Sequence, residues 1–254
     1  MMVLRPLVSP VLLGVAALIA WEMACRGIPI SPILLPPPSV IGVKIAGEIA
    51  TLGYDFLKTV VQAVVPGWLI GCAAGLVVAL LCDRYSFLKR GFLPIGNFFS
   101  VLPLVGVAPI MVMWFGTGVA PNIAVVVIMT FFPMLVNAIA GLEASSHMER
   151  DLMRSYGASW WQALTALRLP AAMPFIFNAL KINSTLAMIG AIVAEFFGTR
   201  IAGMGFRMQT GFGSMSLDLV WAEIALAAVT GSLFYGLLVL TERAVTFWHP
   251  SYRT

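Results

Sequence analysis

"TVVQAVVPGWLIGCAAGLVVALLC" runs from Thr59 to Cys82 without a charged side chain. A helix needs about 20 apolar residues to cross the hydrocarbon layer of a bilayer, and this stretch is apolar on every face, as lipid-facing or fully buried helices are. The rest of the chain agrees. Of its 254 residues, 60% are hydrophobic and 10% charged, against about 25% charged in an ordinary soluble domain. A chain so poor in charge cannot cover a water-facing surface, so the composition predicts an all-α integral membrane protein. The net charge of +4 comes from scattered Lys and Arg, with no basic run interleaved with aromatics, which gives no reason to expect a nucleic-acid partner. Cys25, Cys72 and Cys82 show no C-x-x-C spacing and read as structural thiols.

Repeating the search outward predicts about six membrane spans, near 7–25, 59–82, 92–115, 119–141, 176–197 and 220–241, with long connections at 26–57, 142–175 and 198–219. The first could pass for a signal peptide, but no small-x-small cleavage site follows it, so it is taken as an uncleaved span. The chain divides into an N-terminal part, 1–58, with one span and an extracytoplasmic linker carrying a short amphipathic helix, and a transmembrane core, 59–254. With the N-terminus inside, nine Lys and Arg fall on the inner side and five on the outer. That bias predicts both termini and the 142–175 connection in the cytoplasm.

Two features of the spans bear on packing. Gly67, Gly71 and Gly75 form a small-x-x-x-small ladder on one helical face, read as close helix packing within one subunit in preference to a dimer seam. Pro94, Pro103, Pro109, Pro121 and Pro133 punctuate the third and fourth spans, where freed carbonyls and kinks are tolerated when neighbours satisfy them.

The connection 142–175 interrupts this apolar chain with "RDLMRSYGASWWQALTALRLP", Arg150–Pro170. Ser146 with Glu149 and Ser159 with Gln162 are capping boxes, each predicting a helix start. Gly157 lies where the first helix would end in a left-handed turn. Pro170 either interrupts the second helix or opens the next. Two short amphipathic helices meeting at a glycine suit a helix pair resting on lipid headgroups, a channel gate, or a docking element for a partner. The residues by themselves do not decide between the first and the third.

The spacing resembles the signature loop of the inner-membrane subunits of binding-protein-dependent ABC importers: Glu-Ala-Ala, three residues, Gly, nine residues, Ile, any residue, Leu-Pro. Asp151, Leu152 and Met153 stand at the Glu-Ala-Ala positions, Gly157 at the glycine, and Leu167, Leu169 and Pro170 at the Ile-x-Leu-Pro. Gly and Leu-Pro match, while the triplet departs through a shorter acid and two larger side chains. The resemblance covers roughly 55–248, including "MWFGTG", "FFPMLVNAIAGL" and "IVAEFFGT". It implies a type I ABC importer permease fold in a bacterial-type inner membrane, a permease homodimer, cytoplasmic ATPase subunits that bind ATP and Mg, and an extracytoplasmic substrate-binding protein. It also implies that the loop is a coupling helix, with Asp151, Leu152, Met153, Arg154, Tyr156, Gly157, Leu167, Leu169 and Pro170 as its ATPase-coupling residues. The N-terminal span and the "PPPSV" stretch resemble the branch importing sulfonates, taurine, nitrate, thiamine-pyrimidine precursors and riboflavin-like compounds; within it "GMGFRMQTGFG" and the C-terminal tail resemble the thiamine-pyrimidine and riboflavin-like importers, with sulfonate, taurine or nitrate as the alternative cargo.

No G-x-x-x-x-G-K-[ST] loop, catalytic triad pattern or metal-ligand spacing is present in the sequence, so the chain is expected to carry no catalytic site, metal or cofactor of its own. Polar groups in apolar spans are the candidates for a translocation pathway: Asn97, Ser100, Thr130, Asn137, Asn178, Asn183 and Thr185. Each alone more often makes an interhelical hydrogen bond. Lys181 and Glu195 lie about 21 Å apart along one helix, too far to pair. Lys181 is expected to snorkel toward the cytoplasm, and Glu195 to cap a neighbouring helix or gate the outer mouth. A distant alternative is an ion-coupled secondary transporter, which usually shows mid-membrane charges and inverted repeats. A membrane scaffold would not need the kinked, polar-dotted spans.

Overall fold

A computed structural model describes residues 5–27, 35–99, 103–198 and 202–247. Along them run α1 (Arg5–Gly27), α2 (Pro38–Gly47), α3 (Ile49–Phe56), α4 (Val65–Arg84), α5 (Ser86–Phe99), α6 (Leu104–Phe115), α7 (Ala120–Leu142), α8 (His147–Ser155), α9 (Trp160–Ala163), α10 (Leu169–Phe197), α11 (Met204–Gly213) and α12 (Leu217–Val245). Wide π-helical turns at Leu57–Val64 and Leu164–Arg168 join α3 to α4 and α9 to α10. Among the described residues, four continuous stretches are long and apolar enough to cross a membrane: Ile49–Arg84, Ala120–Leu142, Trp160–Phe197 and Leu217–Val245. α1 adds a helix of 23 residues.

Both wide turns end two residues before a proline, Pro66 and Pro170. A proline has no N–H for the carbonyl four residues back, and its ring crowds that carbonyl. Widening the turn moves the carbonyl aside and lets the helix continue. Pro170 therefore opens α10 without breaking the rod, and the fifth span extends back into the loop. Likewise residues 49–58, read from sequence as linker, form one rod with the second span, so the division at 58/59 falls inside a helix.

The third expected span, 92–115, is not one helix. Pro103, with φ −69° and ψ 111°, is extended and starts α6, while α5 ends at Phe99. Hydropathy ran across this point unbroken, but proline drives the residue before it out of the helical region. The connection 198–219 contains a helix, α11, packed on α10 and α12. α2 packs against α12 and α1, with Lys44 reaching both Glu48 and Asp218.

The core is a three-helix slab with α7 between α4 and α10. The glycine ladder of α4 faces α7 within the same chain. A Cβ on Gly67 would lie 2.6 Å from Val126 Cβ, one on Gly75 2.6 Å from Phe131 O, and one on Gly71 would overlap Thr130 Oγ1. On the other side Gly141 lets α10 approach, with Ala172 Cα 3.1 Å from where its Cβ would be. Met134, Leu135, Ala138 and Leu142 fill the slab with Cys72, Ala79, Cys82, Ala172 and Ile176.

Candidate functional site

The 142–175 connection folds as its local signals dictate. Ser146 Oγ accepts from Glu149 N–H at 3.2 Å while Glu149 Oε2 accepts from Ser146 N–H at 2.8 Å. Ser159 and Gln162 repeat the pattern. The bond from the Ser146 N–H holds the Glu149 carboxyl below its ordinary pKa. Gly157 closes α8 at φ +65°. Ala158 N–H donates to Met153 O and Gly157 N–H to Arg154 O, the paired bonds of a Schellman stop.

So capped, α8 buries none of its side chains. Met148, Leu152 and Tyr156, four residues apart, are 82%, 55% and 79% exposed. They form an apolar stripe that no other part of the described chain covers. Asp151 pairs with Arg154 on the rim. Met153 turns the other way and, with Arg150 and Arg154, faces Trp160 and Leu167 across a small cavity of about 150 Å³. Of the residues expected at a docking face, Leu152 and Tyr156 are outward and Met153 is not. Leu167 lies in the wide turn, and Leu169 and Pro170 start α10, with Leu169 packed on the core.

The loop is fixed to the slab by a residue that sequence reading passed over. Asp83 accepts from Arg168 Nη1 at 2.7 Å through each carboxylate oxygen, and from Trp160 Nε1 at 3.0 Å. This ties the end of α4 to both α9 and the entry to α10. The signal available was a carboxylate placed directly after 24 uncharged residues.

The structure divides the pathway candidates. Asn183 is buried and donates to Thr130 O at 2.7 Å and Cys72 Sγ at 3.2 Å, bridging α10, α7 and α4. Thr130 returns its hydroxyl to Val126 O, and Asn137 donates to Pro133 O in its own helix. Asn178 and Thr185 instead lie on an exposed stripe of α10 with Ile182 and Ile189. Thr185 also lines a cleft of about 490 Å³ between α10 and α12, with Ser232 and Tyr235. Ser100 and the side chain of Asn97 lie outside the described residues. Lys181 does not snorkel. It pairs with Glu242 of α12 at 2.8 Å, and the two side chains are only 16% and 7% exposed. An ammonium with a carboxylate at hand gains more from pairing than from stretching to the surface.

Glu195 caps a helix. At the end of the bundle away from α8, the first amides of α11 meet side chains of other elements. Gly203 N–H donates to Asp55 Oδ1 at 3.0 Å, Met204 N–H to Thr59 Oγ1 at 2.8 Å and Gly205 N–H to Glu195 Oε2 at 2.8 Å. Thr59 also bonds Glu195, and Arg207 pairs with Asp55 at 2.8 Å, which raises the pKa of its guanidinium further. Carboxylates here answer the orphan amides and positive end of the helix dipole. "GMG" at 203–205 exists for this approach: a Cβ on Gly203 would sit 2.5 Å from Glu195 Oε1.

An all-helical slab of membrane-length rods, interrupted by a capped, outward-facing helix pair, defines a transporter subunit of the type I permease class. The chain matches the family described as "Binding-protein-dependent transport system inner membrane component" over residues 49–249, and belongs to it. It is 28% identical over 243 residues, 94% of this chain and 95% of the relative, to the formylaminopyrimidine transport permease protein ThiX of Halalkalibacterium halodurans. It is 30% identical over 248 residues, covering 93% and 88%, to the taurine transport system permease protein TauC of Escherichia coli. In fold it is similar to a chain of the MetNI methionine ABC transporter in an inward-facing conformation, at TM-score 0.65 and 18% identity, covering 79% of this chain and 98% of that one. The chain is thus an inner-membrane ABC permease of a binding-protein-dependent import system, and the ion-coupled and scaffold readings fall away.

Proposed function

We propose that α8 is the coupling helix through which a cytoplasmic ABC ATPase drives this permease, and that the chain itself has no ATPase site. The observation that carries the reading is the stripe of Met148, Leu152 and Tyr156, held on a helix capped at both ends at the position of the family's signature loop. An apolar stripe with a charged rim is what a groove-binding helix presents. Asp151 and Arg154 supply that rim, and Gly157 the turn that passes motion to α9 and α10. The loop then faces the cytoplasm with both termini, ATP and Mg reside on the ATPase, and two permease copies enclose the pathway beneath a substrate-binding protein.

For cargo we propose a thiamine-pyrimidine precursor or a riboflavin-like compound. The named formylaminopyrimidine relative aligns over nearly all of both chains, and a riboflavin transport permease from Chloroflexus aurantiacus aligns over 65% of this one. The exposed α10 stripe offers Asn178 and Thr185 with no charge among them, which suits a neutral polar solute. The taurine relative supports the alternative of a sulfonate, or by extension nitrate. Binding assays on the partner binding protein separate the two cargo classes.

The coupling role is tested by co-purifying the permease with its ATPase. Leu152→Glu should abolish capture while leaving the protein in the membrane, and Gly157→Val should keep capture but uncouple uptake from ATP hydrolysis. Normal capture and uptake in both variants would refute the role.

A further inference from the structure

We propose that a cleft between the end of α4 and α9 binds one anionic phospholipid, with its phosphodiester on Arg84 and an acyl chain along α4. The cleft measures about 410 Å³, its floor built from Val77, Leu81 and Leu164 and its rim from Arg84, Tyr85 and Trp161. It lies where two membrane-length rods share an end, Ile49–Arg84 finishing and Trp160–Phe197 beginning. The uncharged run of α4 ends at Cys82, directly before Asp83 and Arg84, as an apolar span does where hydrocarbon gives way to headgroups, and aromatic side chains with one polar edge are at home at such a border.

Three donors on this rim have no acceptor among the described residues. Arg84 meets only ring faces, 5.8 Å from the Tyr85 centroid and 5.7 Å from that of Trp160. The adjacent carboxylate, Asp83, spends its charge on Arg168 and Trp160 and makes no contact with Arg84. The Tyr85 hydroxyl and Trp161 Nε1 make no hydrogen bond within the described chain, and both residues are mostly exposed, at 55% and 68%. The nearby Lys89 is already held by Glu143. The rim therefore carries one uncompensated positive charge with N–H and O–H groups lining the same cleft, a donor set that fits the acceptor oxygens of a phosphodiester.

The floor decides between a lipid and a soluble phosphate compound. Val77 is 55% and Leu81 44% exposed, and they lie one helical turn apart on an uncovered strip of α4. A hydrocarbon chain covers them, and a hydrophilic phosphate ester would not. The uncompensated Arg84 favours an anionic headgroup over a zwitterionic one, whose ammonium would add a second cation at the rim. This site depends on the membrane setting of the chain and not on the coupling role of α8.

The test uses the permease–ATPase complex in detergent, titrated with phosphatidylglycerol or phosphatidylcholine of the same chain length and followed by native mass spectrometry. One basic side chain near a headgroup predicts about fivefold tighter retention of phosphatidylglycerol. Arg84→Gln should erase that preference and Arg84→Lys should retain it. Leu81→Trp, which fills the floor and leaves Arg84 in place, should lose the bound lipid with either headgroup. Glycerophosphoglycerol, the headgroup without chains, should not compete. Equal retention of the two lipids by the unmodified protein, an undiminished preference in Arg84→Gln, or effective competition by the chainless headgroup would overturn the proposal. So would disulfide trapping of two copies through Leu81→Cys in membranes, which would place a second subunit in the cleft.

Discussion

Replacing Asp83 by asparagine removes the charge that holds the α8–α9 loop to the slab. The carboxylate takes two 2.7 Å contacts from Arg168 Nη1 and one 3.0 Å contact from Trp160 Nε1. An amide of the same shape keeps one acceptor and turns N–H groups toward a donor. The side chains of Arg168 and Asp83 are 22% and 9% exposed, between the exposed case, where a pair is worth about 0–1 kcal/mol, and the buried case, where losing one partner costs about 3–5 kcal/mol. A loss of about 2 kcal/mol follows, or roughly 30-fold in a local opening equilibrium. Because Asp83 is 77 residues from Trp160 and 85 from Arg168, the loss appears as separation of α9 from the slab. Amide exchange at Ala163, whose N–H bonds Ser159 O at 2.9 Å, should quicken roughly 30-fold, while amides 203–205 at the opposite end stay unchanged. The exchanged pair Asp83→Arg with Arg168→Asp should recover part of the protection. Unaltered exchange at Ala163, or an equal rise at both ends, would refute a local anchor.

Three further outcomes are expected. Gly71→Ala places a Cβ against Thr130 Oγ1 and 2.8 Å from Val127 O. It should cost about 1–3 kcal/mol in thermal unfolding, whereas Gly53→Ala, with nothing within 4 Å, should cost nothing. Glu195→Ala strips acceptors from Thr59 and Gly205 N–H and should speed exchange at Gly205 by about tenfold or more, with Glu195→Gln milder because one acceptor survives. The lowered pKa of Glu149 means that its capping box contributes fully above the ordinary glutamate value of about 4.3 and is lost as pH falls through the lowered folded value. Exchange protection of α8 should therefore be flat from neutral pH to about 5 and fall at more acid pH, and Glu149→Gln should remove that pH dependence.

What was legible in the sequence was local or periodic. The capping boxes at Ser146 and Ser159 and the left-handed Gly157 each depend on residues within four positions, and each formed as read. The glycine ladder told which face of α4 would be close-packed, though its partner α7 had to be seen. Other features depend on distant partners. Nothing near Asp83 announces Arg168, and nothing near Lys181 announces Glu242. The third span was read as one helix because hydropathy sums side chains and ignores the backbone, where Pro103 acts. α11 escaped notice because its capping groups, Asp55, Thr59 and Glu195, come from two other rods. Asn183 and Thr185 look alike in sequence, and only the rotation of α10 sends one into the slab and the other outward.

The fastening of the slab carries a mechanical consequence. α4, α7 and α10 touch backbone to backbone at glycines and share Asn183 at mid-height, and Asp83 pins the end of α4 to the entry of α10. Such a stack has little freedom to shear. From Leu169 to Glu195 α10 runs about 39 Å at 1.5 Å per residue. A rod held along its length in this way carries any displacement of its loop end through to the α11 clasp, with α7 moving alongside it.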